Sequence, residues 1–265
     1  MAEPDYRALV TGASSGIGAA FARALRARGA KLVLVARRAQ RLSEMSHALG
    51  GPPDVAVVPL DLTGPDSISV LMAFLAERAI TVDLLINNAG VGWTGPFLDQ
   101  PDQSIHQIID LNVRTLVGLT RAFVPGMVER RRGGVVNVVS TSAFQPVPYL
   151  AVYAASKAYV LFFTEGLADE LKGTGVRVQA LCPGLTESEF HQVSGTDQVR
   201  FTKTPAMTPE DVVRASLEGL EKGSLRVVPG LANRLMAATQ GFLPRSLVRY
   251  VAGELFRPEG PSRRD

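Results

Sequence analysis

Cysteine is almost missing: Cys182 stands alone in 265 residues. One thiol forms no intrachain disulfide, so the fold must rest on its core, and a reducing cytoplasm is the expected location. Histidine is nearly as scarce. His47, His106 and His191 lie far apart and show no metal-ligand spacing, so no metal is expected. Charge of one sign is lacking too, since a net +3 is too small to argue for a nucleic-acid partner. No stretch reaches the ~18 uninterrupted apolar residues of a membrane span. "MAEPDYRALV" has no basic segment leading into an apolar one, so no secretion signal is read there.

What is present alternates. Apolar runs at 7–12, 30–37, 55–63, 82–90, 133–140, 176–184 and 224–230 read as strands. Helical patterns at 18–29, 39–50, 67–79 and roughly 103–131 fall between them, the first closing on Gly29. Strands this apolar are buried on both faces, so the expected fold is α/β, a Rossmann-like doubly wound parallel sheet of about seven strands. Short connections leave no domain boundary, and a single dinucleotide-binding domain over 1–265 is expected. The polar, turn-rich stretch 185–209 is long for a loop and reads as a substrate lid.

"TGASSGIG" (11–18) joins the first strand to the first helix. At that turn the start of a helix offers free N–H groups to a phosphate. Gly12 permits a tight turn, Gly16 lets the backbone approach a pyrophosphate, and Gly18 allows close helix–strand packing. With Ser14, Ser15 and Ile17 they form the expected cofactor loop. The second strand runs into "ARRAQR", where a site for NAD commonly has an acid on the ribose 2′-OH. Guanidinium groups there pair instead with a 2′-phosphate. The expected cofactor is therefore NADP, with Arg37 the main contact and Arg38 or Ser15 secondary.

"YAASK" places Tyr153 and Lys157 four residues apart, on one face if the segment is helical. A tyrosine titrating near ~10 must shift by about three units to act near neutrality. One positive charge at ~4 Å has the strength to supply most of that shift. Lys157 is thus expected to lower the Tyr153 pKa.

The glycine turn, "NNAG" at 87–90 and the Tyr153/Lys157 pair together resemble the short-chain dehydrogenase/reductase family, over about residues 5–190. The resemblance implies a catalytic serine thirteen residues before the tyrosine, which is Ser140, with Ser142 the near miss. It implies a helix asparagine, Asn112, binding a water linked to Lys157. It places Asp61 and Leu62 at the adenine, Asn88, Ala89 and Gly90 beside the adenosine ribose, and Pro183 and Gly184 at the nicotinamide. Relatives carry a threonine at the fifth position after that proline. Here Ser188 holds the position and Thr186 precedes it, so either hydroxyl is a candidate for the carboxamide or a phosphate.

Residues 231–257 read as a helical extension in which Leu247, Val248, Val251 and Leu255 recur at helical spacing, with Arg245 and Arg249 between. It covers the cleft, meets a second copy in a homodimer or homotetramer, or lies on a membrane surface. Trp93, Phe97, Phe144, Val147, Pro148, Tyr149, Leu185 and Phe190 adjoin the motifs and suggest an apolar substrate pocket. The expected activity is hydride transfer between NADP(H) and an apolar ketone, aldehyde or secondary alcohol, with Tyr153 as acid/base. The alternatives are a non-catalytic NADP-binding sensor or scaffold, and epimerisation or dehydration on the same fold.

Overall fold

The structure is a computed structural model, and residues 6–258 are described. Seven parallel strands form one sheet: β1 (Arg7–Thr11), β2 (Lys31–Ala36), β3 (Val55–Pro59), β4 (Leu84–Asn87), β5 (Gly133–Val138), β6 (Val176–Leu181) and β7 (Arg226–Val227). Their order is β3-β2-β1-β4-β5-β6-β7. The chain starts in the middle, winds outward one way to β3, then returns to β4 and winds the other way. That reversal leaves a crevice beyond the carboxyl ends of β1 and β4, where open α/β sheets bind ligands.

The strands read as continuous apolar runs because both of their faces are covered. Alternate residues of one strand enter opposite cores. Ala8 and Val10 of β1 join Leu32 and Leu34 of β2 on one side, against Phe21 and Leu25 of α1 (Gly16–Ala27), Leu42 of α2 (Ala39–Ala48), and Val213 and Leu217 of α8 (Pro209–Glu221). Leu9, Val33 and Val35 face the other way, onto Leu71 and Leu75 of α3 (Ser67–Glu77) and onto Phe123 and Met127 of α5 (Leu116–Glu129). Each fully buried side chain of this size contributes about 1.5–3 kcal/mol. Gly29 ends α1 at φ +86°, and the Ala30 amide closes back onto the Leu25 carbonyl. This satisfies carbonyls that the helix end leaves open.

The expected strands are found with ragged ends trimmed; the seventh shrinks to two residues. The long helix expected over 103–131 divides. α4 (Asp102–Ile109) passes through a π-helical turn (Asp110–Thr115) into α5. The stretch 185–209 is not bare loop either. It holds the short helix α7 (Phe190–Ser194) and two 3₁₀ turns, and Thr186 bridges to Met207. Beyond β7 come α9 (Leu231–Thr239) and α10 (Arg245–Phe256). Among the described residues no helix is long and apolar enough to cross a membrane.

Candidate active site

The glycine loop is set by what cannot fit beside it. Gly12 follows β1 at φ +64°, and a Cβ there would lie 2.8 Å from Asn88 Nδ2 and 2.9 Å from Ala89 Cα. At Gly18 a Cβ would lie 2.3 Å from the Gly12 carbonyl oxygen, so α1 sits directly on the turn. Asn88 braces the loop, donating to the carbonyls of Thr11 (2.9 Å) and Gly12 (3.2 Å). Its side-chain amide is therefore engaged by the loop, and any ligand at 88–90 meets this segment chiefly through other atoms. Ser15 precedes α1 without a side-chain capping bond, and the first turn has no acid. The first N–H groups of α1 and the positive end of its dipole thus suit an anion.

Arg37 and Arg38 both line the cleft beside this loop, with Leu62 and Asp61 opposite. Arg37 makes no hydrogen bond or ion pair among the described residues, although its charge helps hold the Asp61 carboxyl below the usual range. The larger cause of that shift is Thr63, whose amide (3.0 Å) and hydroxyl (2.8 Å) both donate to Asp61 Oδ1. Arg38 is fully engaged. It donates to the hydroxyls of Ser14 (2.8 Å) and Ser15 (2.9 Å) and pairs with Glu189 at 2.6 Å. The two serines therefore accept from arginine here.

Ser140, Tyr153 and Lys157 meet at the foot of the cleft. Ser140 leads a 3₁₀ turn just past β5, and its Oγ accepts from the Ser142 amide at 3.1 Å. Tyr153 and Lys157 lie on α6 (Ala151–Glu170) and are 8% and 4% exposed, deep enough for burial to govern their charge. The nearby Ser140 hydroxyl favours the ionised phenol, but burial outweighs it and pushes the Tyr153 pKa up to about 12. Burial likewise pushes Lys157 down to about 8. Lys157 Nζ donates to the Val138 carbonyl at 2.8 Å and sits 5.7 Å from the centre of the phenol ring. The expectation that Lys157 brings the phenol toward neutrality is thus corrected for the protein alone. Burial is the larger influence on the phenol, and the lysine's own charge is disfavoured by the same burial.

Asn112 lies in the π-helical turn. Its Oδ1 accepts from the Val91 amide (3.0 Å), and its Nδ2 donates to the Val91 carbonyl (2.9 Å) and Ser156 Oγ (3.0 Å). The side chain thereby ties the loop after "NNAG" to the helix of Tyr153. π-Helical turns are often found at such functional points. Pro183 accepts from the Thr141 amide at 2.9 Å, and Gly184 passes so close to Asn233 that a Cβ would lie 2.5 Å from Nδ2. Thr186 is buried and donates to the Gly184 carbonyl, while Ser188 stands over Gly16. Both line the cleft. Burial pushes the Cys182 thiol up to about 12, which fits an inert core residue.

The lysine makes a prediction about stability. A group whose pKa is about 8 folded and ~10.4 unfolded binds fewer protons in the folded state between those values. Stability therefore rises with pH through that window. Replacing Lys157 with Met is expected to remove this rise, which amounts to a few kcal/mol at ~1.36 kcal/mol per unit. Urea unfolding of both proteins between pH 7.5 and 10.5 checks it; parallel curves would refute it.

The far end of the cleft is apolar. Val147, Leu150, Phe190, Phe201, Met236 and Phe256 line it, and the cleft as a whole, glycine-loop half included, has a volume of about 390 Å³. That volume lies in the range of small-molecule sites. Phe190 packs 5.3 Å from Tyr153, and Phe201 stacks on Phe256 at 4.7 Å. Of the residues expected from sequence, only Val147 and Phe190 belong to this wall. Trp93, Phe97, Phe144, Pro148, Tyr149 and Leu185 do not line it: Phe97 faces solvent, and Phe144 lies under Arg226. Phe256 reaches the wall because α10 turns one stripe inward. Val248, Ala252 and Phe256 are buried, while Leu247, Tyr250 and Val251 stay exposed.

This arrangement has relatives. The family model described as short chain dehydrogenase matches residues 6–199. A sulfoacetaldehyde reductase of Chromohalobacter salexigens is 39% identical over 210 residues, 77% of this chain and 83% of its own. A short-chain dehydrogenase of Sphingobium yanoikuyae, solved in complex with NADPH, is 36% identical with a TM-score of 0.79, covering 89% of this chain and 94% of that one. An alcohol dehydrogenase of Comamonas testosteroni specific for bulky-bulky ketones is 33% identical with a TM-score of 0.75, covering 91% and 94%. Sheet order, glycine loop and the Ser140–Tyr153–Lys157 cluster agree with that match, and the chain belongs to the short-chain dehydrogenase family of oxidoreductases.

Proposed function

We propose that the protein is an NADP(H)-dependent oxidoreductase that reduces an apolar ketone or aldehyde, or oxidises the matching secondary alcohol. The observation that carries the reading is the placement of Ser140, Tyr153 and Lys157 at the junction of two unlike halves of one cleft. One half has the uncapped helix start, the glycine loop and Arg37; the other has aromatic and aliphatic walls. The NADPH complex of the Sphingobium enzyme and the bulky-ketone preference of the Comamonas enzyme support the two halves respectively. The sulfoacetaldehyde reductase points instead toward a small anion. Among the described residues lining the cleft, however, the arginines and lysines are Arg37, Arg38 and Lys157, and none stands in the apolar half.

The residues present fit a dinucleotide carrying a 2′-phosphate. The loop leaves N–H groups of α1 for the pyrophosphate. Arg37, with Arg38 beside it, would meet the 2′-phosphate, and Asp61 and Leu62 would border the adenine. Asn88, Ala89 and Gly90 would flank the ribose, and Pro183, Gly184, Thr186 and Ser188 would hold the nicotinamide side. The cofactor supplies the hydride. Tyr153 then delivers a proton to the substrate oxygen, and its high pKa keeps that proton in place through neutral pH. Ser140 hydrogen-bonds the same oxygen and stabilises its developing charge. Lys157 would hold the nicotinamide ribose, and Asn112 fixes the backbone at Val91.

Purified protein mixed with NADPH and a panel of ketones and aldehydes of increasing bulk tests this reading by loss of nicotinamide absorbance. Turnover is expected to favour bulky apolar carbonyls over sulfonated or carboxylated ones. Tight NADPH binding without turnover of any of them would favour the sensor reading instead.

A further inference from the structure

Glu189 is an exposed carboxylate that joins three parts of the chain. Arg38 lies 2.6 Å from its Oε2, and Arg41, one turn further along α2, lies 2.5 Å from its Oε1. The same Arg38 guanidinium reaches Ser14 and Ser15 of the glycine loop. One bidentate carboxylate thus clamps the start of α2 to the segment before α7, across about 150 residues of sequence. Two members of the clamp, Glu189 and Arg38, line the cleft together with Arg37, while Arg41 is outside the lining and is reached through the same carboxylate. A carboxylate holding two guanidinium groups occupies them as a phosphate would.

We infer that Glu189 sets the preference between the two nicotinamide dinucleotides by competing with a 2′-phosphate for Arg38 and Arg41. This rests on the reading that the cofactor carries its 2′-phosphate at the end of β2. Arg37 is without a hydrogen-bond partner among the described residues and makes the first contact. The phosphate takes Arg38 and Arg41 only by displacing the carboxylate. Exposed ion pairs of this kind are individually weak, so a dianion can exchange for them. NADH brings no phosphate and leaves the clamp closed. The carboxylate is therefore a built-in brake on NADP affinity, and the preference is smaller than three arginines by themselves would give.

Dissociation constants of NADPH and NADH for the wild type and Glu189→Gln, followed by nicotinamide fluorescence at fixed ionic strength, test the inference. Glutamine keeps the shape and removes the charge. NADPH is expected to tighten about fivefold, the scale of one exposed ion pair, with NADH changing less than about twofold. NADPH binding that is unchanged or weaker would overturn the competition and leave the cofactor reading standing. Equal tightening of both would overturn it too, since the carboxylate would then act on the part the two dinucleotides share. A wild type with no preference for NADPH would instead defeat the cofactor reading, and the competition with it.

Discussion

Tyr153→Phe is expected to lower turnover by about 10²–10⁴, the range a general acid contributes, while NADPH still binds. The substitution removes one oxygen from a ring that stays packed against Phe190. Ser140 keeps its bond from the Ser142 amide in the variant. Steady-state rates with NADPH and a bulky ketone, together with fluorescence titration of NADPH, separate chemistry from binding; near-normal turnover would remove Tyr153 from the proton-donor role. The high phenol pKa also gives the two directions different pH profiles. Reduction needs the protonated phenol and is expected to hold level through neutral pH. Oxidation needs the ionised form and is expected to rise with pH above neutrality, since burial holds the phenol pKa up. Both limbs should vanish in the phenylalanine variant.

Arg37→Asp is the second large effect. Arg37 stands at the end of β2, where its side chain makes no hydrogen bond or ion pair among the described residues, so replacing it breaks little of the fold. Opposite charges ~4 Å apart interact by about 4 kcal/mol at an effective dielectric of ~20. Screening at an exposed position reduces that considerably. Reversing the sign still replaces an attraction with a repulsion, and the NADPH/NADH affinity ratio is expected to fall about 10²-fold. Competition titrations of both dinucleotides measure it. An unchanged ratio would move the 2′-phosphate away from Arg37.

Features carried by near neighbours are legible in the amino-acid sequence alone. The glycine turn, the i, i+4 pairing of Tyr153 with Lys157, and the basic pair after β2 each lie within one short segment, and local spacing fixes their geometry. What escapes such a reading depends on balances between distant groups. The direction of the Tyr153 shift does not follow from the tyrosine–lysine spacing, because it turns on how deeply the phenol is buried. The clamp of Glu189 on Arg38 joins residues 151 apart. The π-helical turn escapes because one extra residue per turn barely disturbs a helical hydrophobic pattern. The amphipathic pattern of α10 is plain, but not which stripe faces in; Phe201, waiting across the cleft, decides that.

The stack of Phe201 on Phe256 has a consequence for how such a protein can diverge. The groups proposed to move the hydride and proton fall at or before Lys157, on a sheet and helices shared with many relatives. Apart from Val147 and Leu150, the walls that would greet a substrate come from residues 190–256, where the family model ends at 199. Chemistry and choice of molecule are therefore written largely one after the other along the chain. Drift or exchange in the later part can change what is reduced without retuning how, and a transplanted tail that brings its own partner for Phe201 would carry a new preference with it.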